Sequence, residues 1–303
     1  MDRFQQLKVF VAVAEEQGFA AAARRLSMSP PAVTRSVAAL EDQLGARLLQ
    51  RSTRHVRTTE VGVRYLEDAR RILHDLEEAD ETVAGINATP RGRLAVTAPV
   101  LFGRKFVMPG VVDYLQRYPE MEVTTMFLDR SVNLLEEGLD VGIRIGRLPD
   151  SSFHAVHVGA VRIVLCASPD YLAEHGEPGR PEALAEHHMI ASMAGNHLLD
   201  LRFQTEGRER QLQFKARLNT NTNDSAIEAA LQGYGITRLL SYQLADHLRQ
   251  GTLKTILKNW EPEALPINIL YREGRQAAAK VRSFVDLMAE RLRTDPRLTH
   301  SDD

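Results

Sequence analysis

The chain has 303 residues, 44% of them hydrophobic, a single cysteine and a formal net charge of −2. That length and apolar content support two or three domains with real cores and exclude a disordered or fibrous chain, while one cysteine excludes an internal disulfide framework. No segment reaches the roughly 18 consecutive apolar residues of a membrane span, and the N-terminus has no cleavage signature, so a cytoplasmic protein with no membrane partner is expected.

In chain order, Phe4, Leu7, Phe10, Val11 and Ala14 share one helical face and predict a first helix. Ala20 to Leu26 are mostly strong helix formers, and this second helix must end near Ser27. Ser29 then stands where an N-cap belongs, with Pro30 at the first helical position, where a missing N–H costs nothing, and Pro31 after it. From there Val33, Val37, Leu40 and Leu44 form an inward stripe and leave Thr34, Arg35 and Ser36 facing out. Two helices joined by a tight turn, with a Thr-Arg pair exposed near the second start, are what a recognition helix offers the major groove.

Leu48 and Leu49 then anchor a basic, hydroxyl-rich segment, RSTRHVRTT (51–59), whose Arg51 and Arg54 suit phosphate contact. Residues 20–59 hold seven arginines against Glu41 and Asp42, so the positive field that draws DNA is local to this head. Residues 59–88 change sign: Arg64, Arg70 and Arg71 are outnumbered by Glu67, Asp68, Asp75, Glu77, Glu78, Asp80 and Glu81. Leu66, Ala69, Leu73, Leu76 and Val83 fall on heptad-like positions of one long helix beside a second stripe of Tyr65, Ile72, Ala79 and Ile86. The alternatives are packing against the helix's own domain and a dimerising coiled coil, with Leu66, Leu73, Leu76 and Val83 at the seam.

A hinge at 87–92 closes this helix. Strands are predicted at 93–99, 121–128, 140–146, 162–168, 188–192, 235–241 and 266–274, with polar strands within 201–220. Helices are predicted at 104–118, 132–138, 169–175, 224–233 and 276–293. Strand and helix alternating at this spacing imply parallel sheet.

Two stretches, LKVFVAVAEEQGFAAAARRLSMSPPAVTRSVAALEDQLGARLLQRSTRHVRTTEVG and NDSAIEAALQGYGITRLLSYQLADHL, carry a resemblance to the LysR-type transcriptional regulators that extends over nearly the whole chain. The resemblance implies an α+β multidomain protein: an N-terminal winged helix-turn-helix, mainly α, over 1–58, a linker and dimerisation helix over 59–89, and an α/β periplasmic-binding-protein-like effector domain over 90–303. That last domain would comprise one subdomain of 90–162 and 267–303 and another of 163–266, joined by two strand crossovers. The implied function is sequence-specific DNA binding governed by a small-molecule effector. The implied partners are double-stranded DNA bearing an interrupted inverted repeat, a small and often anionic metabolite, and further copies of the chain, as a dimer or a dimer of dimers. One departure stands out. The family commonly has Gln immediately before the helix proline, whereas this chain has Pro30, which can offer only apolar contact, for example to a thymine methyl.

In open parallel sheets ligands bind outside the carboxyl ends of the strands, where helices begin. Those ends give Ala98, Val100 and Phe102, then Phe127, then Arg144 and Gly146, and in the second subdomain Ser192, Thr222, Asn223 and Thr237. Each has a plainer alternative: Thr222 as a helix cap, Arg144 as an internal ion pair, Phe102 and Phe127 as core. No catalytic residue, metal site or cofactor is expected. The chain lacks a G-x-S-x-G elbow, a phosphate-cradling glycine loop and H-E-x-x-H, and its His154-x-x-His157 and His187-His188 pairs read as solvated loop histidines.

Overall fold

In the computed structural model, which describes residues 2–51, 56–84, 89–130, 132–148, 153–192, 198–205, 208–272 and 278–298, the N-terminal head consists of α1 (Arg3–Glu16), α2 (Phe19–Arg25), α3 (Pro30–Leu44), β1 (Leu49–Arg51), β2 (Val56–Thr58) and α4 (Glu60–Ala84). Asp2 caps α1 by accepting from the Gln5 amide at 2.9 Å. Ala22 and Ala23 are buried, and these small side chains let α2 lie close to its neighbours. Phe10, Val13, Val33, Val37, Leu40 and Leu48 form one core with Ala69 and Leu73 of α4. The face of α1 differs from expectation: Phe4 is 44% exposed while Gln6, Val9 and Ala12 are buried, because α2, α3 and α4 all pack on α1 and widen its inward arc. For the same reason Ser36 does not face out. It is buried, and its hydroxyl finds no partner among the described residues.

The remaining elements run in order β3 (Gly92–Ala98), α5 (Val100–Phe102), a π-helical turn (Gly103–Val107), α6 (Met108–Arg117), β4 (Met121–Phe127), β5 (Val141–Ile145), β6 (Phe153–Val161), β7 (Ile163–Ala167), α7 (Pro169–His175), a 3₁₀ turn (Pro181–Glu186), β8 (Met189–Ala191), β9 (Leu198–Thr205), β10 (Arg208–Asn219), α8 (Asn223–Leu231), β11 (Ile236–Leu240), α9 (Ser241–Gln250), β12 (Lys254–Ile256), a second 3₁₀ turn (Lys258–Trp260), β13 (Leu265–Arg272) and α10 (Ala279–Arg293). They form a five-stranded sheet, β4-β3-β5-β13-β6, and a six-stranded sheet, β12-β7-β11-β8-β10-β9. The chain passes between the sheets at Arg162 and again between Ile256 and Leu265.

Parallel pairing is confined to β4-β3-β5 and to β10-β8-β11. Where β13 returns from the second sheet it pairs antiparallel with both β5 and β6, because it re-enters from the opposite end. Two further expectations are corrected. Instead of a helix at 132–138, residues 134–138 form turns, with the Leu139 amide donating to the Leu134 carbonyl at 2.8 Å. The helix predicted from 104 begins at Val100, straight after Pro99, and widens into a π turn at Gly103–Val107. Gly103 lies under an aromatic ring: a Cβ there would come within 2.4 Å of Phe127 Cγ. The extra backbone width and the missing side chain together seat Phe127 against this helix.

Candidate DNA-binding face and effector crevice

The head presents the first turns of α3 to solvent. Ser29, Pro30, Pro31 and Arg35 are exposed and Thr34 is half-buried. Ser29 has the extended backbone of an N-cap, yet it caps with its carbonyl, which accepts from Ala32 and Val33 at 2.9 and 3.1 Å, and not with its hydroxyl. That leaves the hydroxyl available to a phosphate. Thr34 donates its hydroxyl hydrogen to the Pro30 carbonyl at 3.0 Å, so toward a base edge it offers a methyl group and oxygen lone pairs. Arg35 next to it supplies donors. The pair therefore sets an acceptor and a cation side by side on the first turns of α3.

Beside α3, β1 and β2 pair antiparallel with Gln50 opposite Arg57, and Arg57 is exposed. Arg51 ends β1; its side chain and the whole of Arg54 lie outside the described residues. Two of the arginines counted in the sequence are paired with carboxylates of the head itself. Arg25 is held by Glu15 at 2.7 Å and Glu16 at 3.3 Å, and Arg47 by Glu41 at 3.1 Å. Glu41 is the residue that sequence reasoning missed here. It is 3% exposed, and its other oxygen accepts from the Leu48 and Leu49 amides at 2.8 and 3.0 Å, fixing where the wing begins. Its one signal was a carboxylate within an apolar helical stripe.

Thr59 then starts α4: its amide and hydroxyl donate to the Leu48 and Arg47 carbonyls, and its hydroxyl oxygen accepts from Gly62 at 2.9 Å. Gly62 has no room for a side chain, since a Cβ would sit 1.9 Å from Leu48 O. Along α4, Leu73 is buried in the head's own core, with Leu66 packed on it. These two seam candidates are therefore occupied within one chain, whereas Ile72 is 43% and Val61 55% exposed. Leu76 is half-buried, and the side chain of Val83 lies outside the described residues.

In the first α/β subdomain the carboxyl ends of β3, β4 and β5 converge on Val100, Phe127 and Arg144. Val100 is exposed, and its amide donates to Asp129 Oδ1 at 3.0 Å, so a carboxylate of the chain itself occupies this helix start. Phe127 and Arg144 are half-buried, the latter opposite Asn268 in register. Gly146 has φ +124°, and its amide donates to Pro266 O at 2.9 Å. Two other candidates are core. Ala98 is buried, and Phe102 is fully covered by Phe106 and Tyr242 at ring distances of 4.8 and 5.4 Å.

From the second subdomain, Ser192 follows β8 and Asn223 opens α8, both half-buried. Thr222 is a satisfied cap, accepting from the Ser225 amide at 3.2 Å and donating to Ser225 Oγ at 2.8 Å. Thr237 is not at a strand end. It lies within β11, fully buried, with its hydroxyl on Ile190 O at 3.2 Å. Two ion pairs link the subdomains at this crevice: Arg104 to Asp224 at 3.6 Å and Lys105 to Asp246 at 3.4 Å. The π turn aims both cations, and no sequence motif announced them.

Residues 4–63 match the family described as the bacterial regulatory helix-turn-helix protein, lysR family, and residues 87–293 match the LysR substrate binding domain. The chain belongs to the LysR family of transcriptional regulators. Among LysR-type relatives it is 32% identical over 300 residues to an HTH-type transcriptional repressor of Pseudomonas aeruginosa, covering 98% of this chain and 95% of that one. It is 30% identical over 291 residues to the HTH-type transcriptional activator AaeR of Escherichia coli, covering 96% and 94%. Similar solved structures include the full-length virulence activator AphB of Vibrio cholerae, with a TM-score of 0.63, 26% identity and coverage of 95% of this chain and 99% of that one. CrgA, a LysR-type regulator from Neisseria meningitidis, gives 0.61, 29%, 95% and 98%.

A LysR-type regulator acts by binding DNA through its helix-turn-helix and an effector through its substrate-binding domain, and this chain is a DNA-binding transcriptional regulator with both parts. Nucleophile chemistry has no support at Cys166, which is buried with its thiol pushed up to about 12 by desolvation. Among the described residues no group of three or more His, Cys, Asp or Glu could hold a metal. The histidine pairs are not in solvated loops: His154 and His157 lie on β6, and His187 and His188 pack around Tyr171.

Proposed function

We propose that the chain works in the cytoplasm as a homodimer or dimer of dimers on an interrupted inverted repeat, with a small anionic metabolite as effector and no cofactor. The observation that carries the DNA reading is the pairing of half-buried Thr34 with exposed Arg35 on the first turns of α3, beside a two-stranded wing with Arg57 outward. Pro30 and Pro31 add apolar contact, Ser29 a phosphate contact, and Arg51, Arg54 and Arg57 hold the backbone. Dimerisation through α4 is supported by outward Val61 and Ile72 on a helix whose other face the head already uses. No helix of the described residues is long and apolar enough to cross a membrane.

The effector reading rests on the crevice, where Arg104 and Lys105 would exchange their Asp224 and Asp246 partners for an incoming anion, with Arg144 near them and Phe127 an apolar wall. Because Asp129 already holds the Val100 amide, the anion is anchored on these cations and beside Asn223. An effector that prefers one opening of the crevice shifts the population by no more than its differential affinity. Fluorescence anisotropy of the full-length protein on the DNA flanking its own gene, against random duplex, tests the first part. Equal affinity for both would overturn it. Thermal-shift screening with small carboxylates tests the second, since a ligand at 100 times its Kd adds about 2.7 kcal/mol.

A further inference from the structure

Tyr171 of α7 is 1% exposed and sits at the centre of three histidines. His175 stacks on its ring at 4.4 Å and 15°, His187 lies at 5.8 Å and His188 at 6.5 Å, with His175 and His188 5.9 Å apart. The Tyr171 hydroxyl accepts from the His188 amide at 3.0 Å and is hydrogen-bonded to His187 Nδ1 at 3.2 Å, with the direction set by the His187 tautomer. His188 is tied at both ring nitrogens. Its Nδ1 faces the Tyr234 carbonyl at 3.3 Å and its Nε2 faces Arg217 Nη1 of β10. A carbonyl only accepts and a guanidinium only donates. The ring is therefore the neutral tautomer with hydrogen on Nδ1, and a proton added at Nε2 would point at another donor. A doubly protonated His187 could no longer accept from Tyr171.

The charged or titratable groups around these rings are Tyr171 and His175 from α7, Glu186 beside the 3₁₀ turn, Tyr234 after α8, and Arg217 from β10. The Ile236 amide of β11 donates to His188 O at 2.8 Å, and at Gly235, just before β11, a Cβ would sit 2.1 Å from that oxygen. His188 thus has no slack in its backbone. It leads directly into β8, three residues long, which is followed by Ser192 on the crevice.

We propose that this Tyr171-centred cluster is a proton-responsive device: protonation of His187 and His188 breaks their bonds to Tyr171 and Arg217 and loosens β8, whose other end borders the effector crevice. Burial, and then the positive forms of His175 and His188, hold the His187 pKa below its usual value against the opposing Glu186. The consequence for gene control, an acid signal added to the effector signal, rests on the regulatory reading above. The loosening of β8 does not.

The test is amide hydrogen exchange of Met189–Ala191 in the full-length protein between pH 7.5 and 5.5, corrected for intrinsic rates, with fluorescence of the sole tryptophan, Trp260, as a second probe of the same subdomain core. Wild type should show at least about a tenfold loss of β8 protection, the equivalent of one pKa unit of coupling. Arg217→Gln can turn its amide to accept from a protonated His188, so its loss should shrink to less than about threefold while the pH 7.5 protection stays. His187→Gln should act in the same direction. PH-independent protection in wild type, or an unchanged response in Arg217→Gln, overturns the proposal. If His187→Gln folds poorly, the Arg217→Gln comparison decides alone. DNA affinity measured alongside separates a failure of the regulatory reading from a failure of the switch.

Discussion

The Glu41 carboxylate, buried at the end of α3, accepts from the Leu48 amide at 2.8 Å across seven residues of chain. This one contact fixes the wing relative to the recognition helix, since the same oxygen also holds Leu49. Glu41→Ala leaves two buried amides unpaired, each costing about 1–3 kcal/mol. The urea midpoint of the head should fall accordingly, and non-specific DNA affinity should drop as the wing loses its position.

Arg35→Ala should remove discrimination between specific and random duplex by about 1–3 kcal/mol. Uniform weakening on all sequences would reassign Arg35 to phosphate. Thr34→Val keeps the methyl and deletes the lone pairs, so retained specificity would show that only the methyl is read. Arg57→Ala, and likewise Arg51→Ala or Arg54→Ala, should lower the salt slope of binding by about one unit without altering sequence preference.

On α4 adjacent residues should behave oppositely. Ile72→Glu changes an exposed side chain, so the head stays folded while sedimentation shows loss of dimer. Leu73→Asp places a charge in the head core beside Ala69 and should unfold the head. Dimers that survive Ile72→Glu intact would place the seam elsewhere.

Acid should weaken the protein in two steps. Burial raises the Glu15 pKa, but hydrogen bonds from Arg25 and Arg70 outweigh it and hold the group below its ordinary 4.5. His187 lies below its ordinary 6.5, chiefly through burial. In both cases the folded chain holds fewer protons than the unfolded one, so stability rises with pH. The His187 contribution is complete above about 6.5 and is lost as the pH falls through the folded value; Glu15 follows below about 4.5. Thermal unfolding of His187→Gln and Glu15→Gln across pH 8 to 3.5 should flatten the upper and lower steps respectively.

Much of the head was legible because its signals are local. The Ser29-Pro30 start, the Val33-Val37-Leu40 stripe and the Thr34-Arg35 pair depend on helix geometry that neighbouring residues set. Phe4 and Ser36 were misread because several helices pack on one helix, and a single-face pattern cannot anticipate that. In the effector domain, strand positions were readable but parallelism was overestimated, since the direction of β13 depends on where the chain returns from. Thr237, Phe102 and Ala98 stood near strand ends in the sequence yet lie in the core, Thr237 and Ala98 because a residue's depth along a strand depends on the register of its partners, and Phe102 because Phe106 and Tyr242 pack on its ring.

The sequence by itself determined the family, the helix-turn-helix and the local concentration of arginine, because short-range periodicity and composition suffice for each. Only the tertiary structure decided which of those arginines are spent on Glu15 and Glu41, that Asp129 fills a helix start, that Arg104 and Lys105 span the crevice, and that His187 and His188 close around Tyr171. Each of these joins residues far apart in the chain. Long-range contact sets burial and hydrogen-bond partners, and these fix the charge state and availability of a side chain.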